Sequence, residues 1–189
     1  MDENAPSKVF STLTPDILIL GGGVFPPAAP IHELSWQQFS ANWETDVRIA
    51  FNFCKAALSC PLPAGASVVL LSSGAALAGS PLSGGYAGAK RTQIFIANYS
   101  QKESDRLCLG MRFMALAPRI VPDTELGKHA IAAYSHYLGI SADDFVRGMA
   151  APPSACIVAT AVIELVLNPD RSLGDVFIVS GKGLEAVSA

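Results

Sequence analysis

The chain is short of charge, and this limits the partners that it can attract. Only 15% of its 189 residues are Asp, Glu, Lys or Arg, and the formal net charge is −3. A protein that binds nucleic acid or an anionic membrane by long-range attraction needs a basic surface, which this composition does not supply. Half of the residues are hydrophobic, so we expect much of the surface to be buried, in part between subunits.

The chain also lacks a cysteine framework and a membrane-spanning run. Its four cysteines lie far apart without a C-x-x-C pair, which predicts buried thiols in a reducing cytosol rather than disulfides or a metal site. The longest nearly apolar run, residues 155–167, is too short to cross a bilayer and contains Glu164. The amino-terminal residues MDENAPSK are acidic and polar, unlike a secretory signal. We therefore expect a cytoplasmic protein.

Strand-like and helix-like segments alternate along the chain. Short apolar segments without polar alternation predict parallel strands that are buried on both faces, at residues 16–20, 67–71, 107–116 and 175–179. Helical periodicity and helix-start signals predict helices at residues 7–13, 36–58, 86–103 and 154–167. This order predicts an α/β fold with about four parallel strands between two layers of helices. The whole chain, residues 1–189, is expected to form one domain.

Residues 119–153 interrupt this pattern and are expected to form a substrate lid of one or two short helices. Its aromatic and apolar residues are expected to form the underside of the lid or, alternatively, to select a hydrophobic substrate: Tyr134, Tyr137, Phe145 and Met149. His129 and His136 are seven residues apart and can share one helical face. Without a third close ligand, they favour solvated or substrate-facing histidines over a metal site.

The candidate acid–base residues lie between Ser73 and Lys90. Tyr86 follows the serine by thirteen residues, and Lys90 follows the tyrosine by four, so both share one face if a helix begins at Tyr86. An ammonium beside a phenol favours the phenolate, which predicts a pKa of Tyr86 below its ordinary value of about 10. A serine hydroxyl from a neighbouring strand end can hold a substrate oxygen against that phenol.

The Ser…Tyr-x-x-x-Lys arrangement resembles that of the short-chain dehydrogenase/reductase superfamily, and the similarity extends over about residues 16–184. The resemblance implies a Rossmann-like fold in which Ser73 orients the substrate, Tyr86 is the acid or base, and Lys90 tunes it. It further implies NAD or NADP as cofactor. Residues at the corresponding cofactor positions are Gly23, Pro118 and, with an offset, Thr124.

The sequence departs from the family pattern at three places. Asp46 stands where the family commonly has an asparagine of the catalytic tetrad, and Arg119 stands where glycine usually lets the nicotinamide approach. The usual T-G-x-x-x-G-x-G turn is not found, which predicts a truncated fold without the first βαβ half. Arg119 either binds a substrate carboxylate or pairs with Asp123 at the surface, and the surface pair is the favoured interpretation. Substrate contacts are also expected from His129 and Tyr134.

These residues leave three functions open. The first is an oxidoreductase that acts on a carbonyl or alcohol through Ser73, Tyr86 and Lys90, with the dinucleotide held partly by something beyond this sequence. The second is a cofactor-independent isomerase, dehydratase or cyclase that uses Tyr86 as acid or base. The third is a non-catalytic assembly or binding subunit.

The resemblance also implies a homo-oligomer. In the family, the two long helices, here residues 36–58 and 86–103, usually form a four-helix dimer interface. Small and apolar residues suited to that role are Ala50, Phe53, Ala56, Ile94 and Ala97. The first strand would be an exposed apolar edge without the missing half, so we expect the first fifteen residues or another subunit to cover it.

Overall fold

The structure is a computed structural model that describes residues 2–168 and 176–187. One sheet contains five strands in the order β1 to β5: Ile17–Leu20, Ser67–Leu71, Arg112–Pro118, Val176–Ser180 and Gly183–Val187. The first four strands are parallel, as the sequence predicts, and β5 runs antiparallel to β4. The short β5 was missed because it follows β4 after only two residues. Asp175, in the predicted last strand, lies outside the described residues.

Eight α-helices connect and cover the strands in the described part of the chain. They are α1 to α8: Ala5–Thr12, Trp36–Asn42, Arg48–Ser59, Ala75–Ala78, Gly84–Arg106, Glu125–Leu138, Ala142–Gly148 and Ala155–Leu167. Several begin at a side-chain cap, and Ser35 forms a full capping box with Gln38. A helix start at residues 35–36 and another at residues 154–155 were therefore readable from sequence.

Two apolar layers separate the sheet from its helices. On one face, Ala50 and Cys54 of α3 and Ala97 of α5 pack with Val68 and Phe113 of the sheet. The opposite face packs against α8 through a second cluster, whose fully buried members include Met114, Leu165 and Phe177. This arrangement confirms the three-layer α/β fold. In the described residues, no helix is long and apolar enough to cross a membrane.

The structure corrects two predicted boundaries. The third strand begins at Arg112 rather than at residue 107, because α5 continues to Arg106 and the chain then turns through positive φ at Cys108 (53°) and Gly110 (69°). The predicted helix over residues 36–58 contains a π-helical turn at Trp43–Val47 between α2 and α3. Such turns often accompany functional sites.

The expectation of four buried thiols is wrong for three of them. Only Cys54 is buried, and burial raises the pKa of its thiol to about 12. Cys60, Cys108 and Cys156 are exposed.

The first strand is covered on one face only. Helix α1 packs on α3, where Phe10 meets Phe53 edge to face, and this layer covers Leu18. Ile17 and Ile19 on the other face remain 46% and 48% exposed. Among the described residues, no strand pairs with the outer edge of β1, so the amino-terminal segment covers it only partly.

The residues expected at a dimer interface are also corrected. Ala50, Ile94 and Ala97 are buried within the chain's own core, and Phe53 packs against that core. The outward face of the two long helices instead carries exposed aromatic residues: Phe51, Phe95 and Tyr99.

Candidate active site

A cavity of about 770 Å³ opens at the carboxyl edge of the parallel strands. Parallel strands all end at the same edge, where ligands of such sheets usually bind. The walls come from segments that follow β1, β2 and β3 and from the region of α6 and α7. Most of the residues predicted from sequence line this cavity: Ser73, Tyr86, Lys90, Pro118, Arg119, Thr124, His129 and Tyr134. The structure therefore brings these candidates to one place, whereas Gly23, the remaining cofactor candidate, does not line the cavity.

Tyr86 lies in the first turn of α5, and Ser73 lies two residues beyond the end of β2. Ser73 and Tyr86 both line the cavity, and the Ser73 hydroxyl acts to lower the pKa of the Tyr86 phenol. The start of α5 is fixed by close packing against α2, because a Cβ at Gly85 would lie 1.7 Å from the Phe39 carbonyl oxygen. Trp43 Nε1 also donates to the Gly85 carbonyl at 3.1 Å. These contacts hold the tyrosine at the cavity.

Lys90 lies one helical turn after Tyr86, as the spacing predicts, and it is 7% exposed. Its Nζ donates to the Leu71 carbonyl at 3.0 Å and pairs with Asp46 Oδ2 at 3.3 Å. The Ser72 hydroxyl donates to the Lys90 carbonyl at 2.8 Å and so ties α5 to the end of β2. The ammonium is thus held by a strand end and a buried carboxylate, and it lies 5.6 Å from the centre of the Tyr86 ring.

Asp46 is the buried acid of the site, and the π-helical turn positions it. Its carboxylate accepts from the Val24 backbone N–H at 3.1 Å and from Asn42 Nδ2 at 3.4 Å. Its backbone carbonyl accepts from Gln93 Nε2 at 3.1 Å. Sequence reasoning missed Asn42 and Gln93, although the i,i+4 spacing of Asn42 and Asp46 was a usable signal. The π-turn has no comparable sequence signature.

The prediction that Lys90 lowers the pKa of Tyr86 is wrong. Burial raises the pKa of the Tyr86 phenol above its ordinary value, and the Asp46 charge adds to that effect, while the Ser73 hydrogen bond opposes it. The ammonium is already paired with Asp46, so its positive charge is offset. Burial lowers the pKa of Lys90, against the opposing effect of Asp46. Tyr86 is therefore a neutral phenol, a proton donor, at neutral pH.

The lid residues divide between the cavity and solvent. Tyr134 of α6 stacks on Phe145 of α7, with ring centres 5.5 Å apart, and its phenol makes a short hydrogen bond with the Ser80 hydroxyl. Met149 lines the cavity. Tyr137 is exposed and does not line it, so the predicted apolar underside is wrong at this residue.

His129 and Thr124 have structural partners. His129 Nε2 lies 3.1 Å from the Pro26 carbonyl, and its ring meets Phe25 edge to face. The contact links α6 to the segment after β1. Thr124 caps α6, because its hydroxyl accepts from the Gly127 N–H at 3.0 Å and donates to the Val121 carbonyl at 2.9 Å. Within residues 2–168 and 176–187, no group of three or more His, Cys, Asp or Glu side chains can hold a metal ion.

Arg119 is exposed and lines the cavity beside Gly74. A Cβ on Gly74 would lie 3.5 Å from the Arg119 Cα, and the Gly74 N–H donates to the Pro118 carbonyl at 2.8 Å. The favoured prediction of a surface ion pair between Arg119 and Asp123 is wrong, because the described residues contain no such pair. The Asp123 carboxylate instead accepts from the Ala155 N–H, at 3.1 and 3.2 Å, at the start of α8.

The described residues do not fit a dinucleotide by themselves. The glycines after β1 are packed against this chain's own side chains, because an added Cβ would lie 3.0 Å from Leu71 at Gly21, 3.1 Å from Ile49 at Gly22 and 2.8 Å from Asp46 at Gly23. This turn is a tight strand exit, and no α-helix begins directly after it, whereas a pyrophosphate usually binds at a helix N-terminus. The Arg119 side chain also lies beside Gly74, in space that a glycine at position 119 would leave open to a nicotinamide.

The fold and the cavity define an α/β protein with a pocket, lined by Ser73, Tyr86 and Lys90, at the carboxyl edge of its sheet. No family model and no curated protein matches the chain. Solved structures do match it, and they are short-chain dehydrogenases; the chain resembles that superfamily in fold. A short-chain dehydrogenase family protein from Francisella tularensis subsp. tularensis SCHU S4 is 19% identical, with a TM-score of 0.78 over 95% of this chain and 76% of that chain.

Two further neighbours were solved with a cofactor. NAD+-bound xylitol dehydrogenase is 16% identical, with a TM-score of 0.78, over 95% of this chain and 75% of that one. ElxO with NADP bound is 20% identical, with a TM-score of 0.74, over 96% of this chain and 75% of that one. At these identities the comparison establishes the fold, and about a quarter of each neighbour has no counterpart in this chain.

Proposed function

We propose that the protein acts on a carbonyl or alcohol group, as an oxidoreductase of the short-chain dehydrogenase type, with Tyr86 as the acid that protonates the substrate oxygen. The observation that carries this proposal is a partly buried phenol, with its pKa raised, that lines an apolar cavity together with Ser73. The names of the neighbouring structures support the redox type, because they include a xylitol dehydrogenase and a levodione reductase.

The chemistry assigned to this chain is a single proton transfer. A carbonyl oxygen in the cavity accepts hydrogen bonds from the Ser73 and Tyr86 hydroxyls. As negative charge develops on that oxygen, the Tyr86 O–H bond breaks and a new O–H bond forms on the substrate, which leaves a phenolate. The Ser73 hydroxyl, which acts to lower the Tyr86 pKa, stabilises the phenolate, and solvent then returns the proton to Tyr86. Positioned acids of this kind contribute about 10²–10⁴-fold to a rate.

A second candidate is proton transfer without a cofactor, such as an isomerisation of a carbonyl compound. Two observations favour it: the packed glycines after β1 and the position of Arg119 beside Gly74. Both reactions use the same protonation of a carbonyl oxygen, so they share the Tyr86 assignment and differ only in whether hydride is transferred.

The protonation step is tested by two rates measured as a function of pH. One is the dinucleotide-dependent turnover of ketones, and the other is the exchange of ketone α-protons in deuterated water, followed by NMR, in which solvent removes the α-proton while Tyr86 protonates the oxygen. The neutral phenol is the active form, so the part of the rate that depends on Tyr86 stays constant up to about pH 9 and falls above about pH 10. The fall comes late because burial raises the pKa of Tyr86. A Tyr86-dependent rate that rises between pH 7 and 9 would identify a phenolate and contradict the assignment.

Titration with NAD(H) and NADP(H) separates the two reactions. Binding at millimolar concentration together with dinucleotide-dependent turnover of ketones supports the oxidoreductase. Proton exchange without dinucleotide binding supports the cofactor-independent reaction. The absence of both identifies a non-catalytic subunit.

We also propose that the protein forms a homodimer through α3 and α5. Phe51, Phe95 and Tyr99 are 53%, 64% and 64% exposed, and the last two stack with ring centres 5.8 Å apart. Exposed aromatic clusters of this kind are typical of interfaces.

Sedimentation velocity tests the dimer. The wild type is expected to sediment as a dimer at micromolar concentration, and Phe95→Glu as a monomer, because the new carboxylate would be buried at the interface without a partner. Leu138→Glu, on the exposed end of α6, is the matched control and should remain dimeric. A monomeric wild type would exclude this interface.

A further inference from the structure

The cavity over Tyr86 carries an unbalanced positive charge. Two cationic side chains line it, Lys90 and Arg119, and no aspartate or glutamate lines it within the described parts of the chain. Asp46 offsets the charge of Lys90 at 3.3 Å. The Arg119 guanidinium has no ion pair or hydrogen bond to any residue that the structure describes, since its neighbour in sequence Asp123 accepts from the Ala155 N–H instead.

The remaining walls of the cavity are mostly apolar. Leu77 and Leu82 come from the segment between β2 and α5, and Ile120, Leu126 and Met149 come from the lid region. At about 770 Å³, the cavity lies within the size range of pockets that enclose small organic molecules. A ligand that satisfies both the walls and the guanidinium of Arg119, the one cavity cation without a partner in residues 2–168 and 176–187, has an apolar body and one negative charge.

We propose that the substrate of this site is a hydrophobic carboxylic acid that also carries the reacting carbonyl or hydroxyl group, and that Arg119 binds its carboxylate. This inference rests on the proposed function and names the class of its substrate. A planar guanidinium holds a carboxylate through two parallel hydrogen bonds, which are stronger and more specific than a single neutral bond.

The position of Arg119 links the carboxylate to the reacting group. Gly74 follows Ser73 directly, and its backbone is hydrogen-bonded to Pro118, the residue before Arg119. The two strand ends that carry Ser73 and Arg119 are therefore fixed side by side. When Arg119 binds the carboxylate, the adjacent carbons of the ligand lie near Ser73 and Tyr86. There a carbonyl oxygen is protonated, or, in the reverse direction, a hydroxyl group is deprotonated.

Calorimetric titration with octanoate and octanamide tests the anion site, because the two probes differ in charge and share an apolar chain. Wild type is expected to bind octanoate about tenfold more tightly than octanamide, and this preference should weaken as salt is added. Arg119→Gln should remove the preference and leave octanamide affinity unchanged, while Arg119→Lys should keep part of it. Arg48→Gln, at an exposed arginine paired with Glu44, is the matched control and should keep the full preference.

The outcomes separate this inference from the proposed function. Equal affinity for the two probes, no measurable binding of either, or an unchanged preference in Arg119→Gln that is folded by circular dichroism would each overturn the anion site. Tyr86→Phe should bind octanoate as wild type does. Arg119-dependent octanoate binding without Tyr86-dependent proton transfer would leave the anion site standing and contradict the proposed catalysis.

Discussion

Replacement of Tyr86 by Phe is expected to lower the rate of ketone α-proton exchange, or of dinucleotide-dependent turnover, by about 10²–10⁴-fold. The change removes one oxygen atom and leaves the ring, which keeps its place beside Lys90. Only Ser73 then remains to polarise the substrate oxygen. A serine hydroxyl is a much weaker acid than a phenol, so it does not replace Tyr86 as the proton donor. NMR exchange rates and steady-state turnover measure the loss.

Tyr137→Phe is the matched control for this prediction. Tyr137 is an exposed tyrosine on α6 that does not line the cavity, so its hydroxyl should have no effect on rate. Octanoate affinity and the free energy of unfolding should be close to wild type in both variants. A Tyr86→Phe protein with wild-type rates would remove Tyr86 from the mechanism.

Replacement of Asp46 by Asn is expected to lower the free energy of unfolding by about 3 kcal/mol, because it leaves the Lys90 ammonium buried without its carboxylate. Lys90 and Asp46 side chains are 8% and 2% exposed, respectively, so solvent compensates little. Asparagine keeps the size of the side chain and an acceptor for the Val24 N–H, which isolates the loss of charge. Urea denaturation measures the change.

Glu44→Gln provides the control for Asp46→Asn. Glu44 pairs with Arg48 in the same helical segment, at an exposed site, and an exposed pair contributes about 0–1 kcal/mol. The double variant Asp46→Asn with Lys90→Met should recover part of the loss, because it removes the unpaired charge. A double variant whose loss equals the sum of the two single losses would show that the pair is not coupled.

The ion pair between Lys90 and Asp46 also explains why Lys90 does not lower the pKa of Tyr86. In the sequence, Lys90 has one evident partner, Tyr86, four residues away. In the structure it also has Asp46, which lies 44 residues earlier and reaches it only because α3 and α5 pack together. The carboxylate offsets the ammonium, and burial then sets the direction of the Tyr86 pKa.

Local patterns were enough to predict much of the fold. The unbroken apolar run Ser67–Leu71 is a strand as predicted, because a parallel strand covered on both faces has no place for polar alternation. The run Ile17–Leu20 is also a strand, although Ile17 and Ile19 on one of its faces are exposed. The helix from Gly84 placed Tyr86 and Lys90 on one face because four residues complete about one helical turn. The place of Ser73 at a strand end was also predictable, because it comes two residues after the apolar run Ser67–Leu71.

What the sequence alone determined is therefore the order of the four parallel strands and of the long helices between them, and the candidate Ser73–Tyr86–Lys90 set, since both follow from the spacing of nearby residues. Only the tertiary structure decided the partner of Lys90, the raised pKa of Tyr86 and the place of the Arg119 side chain at the cavity. Each of these depends on which distant segments are packed together and on how much water they exclude. Burial and charge balance are properties of the folded assembly, and no local pattern in the chain records them.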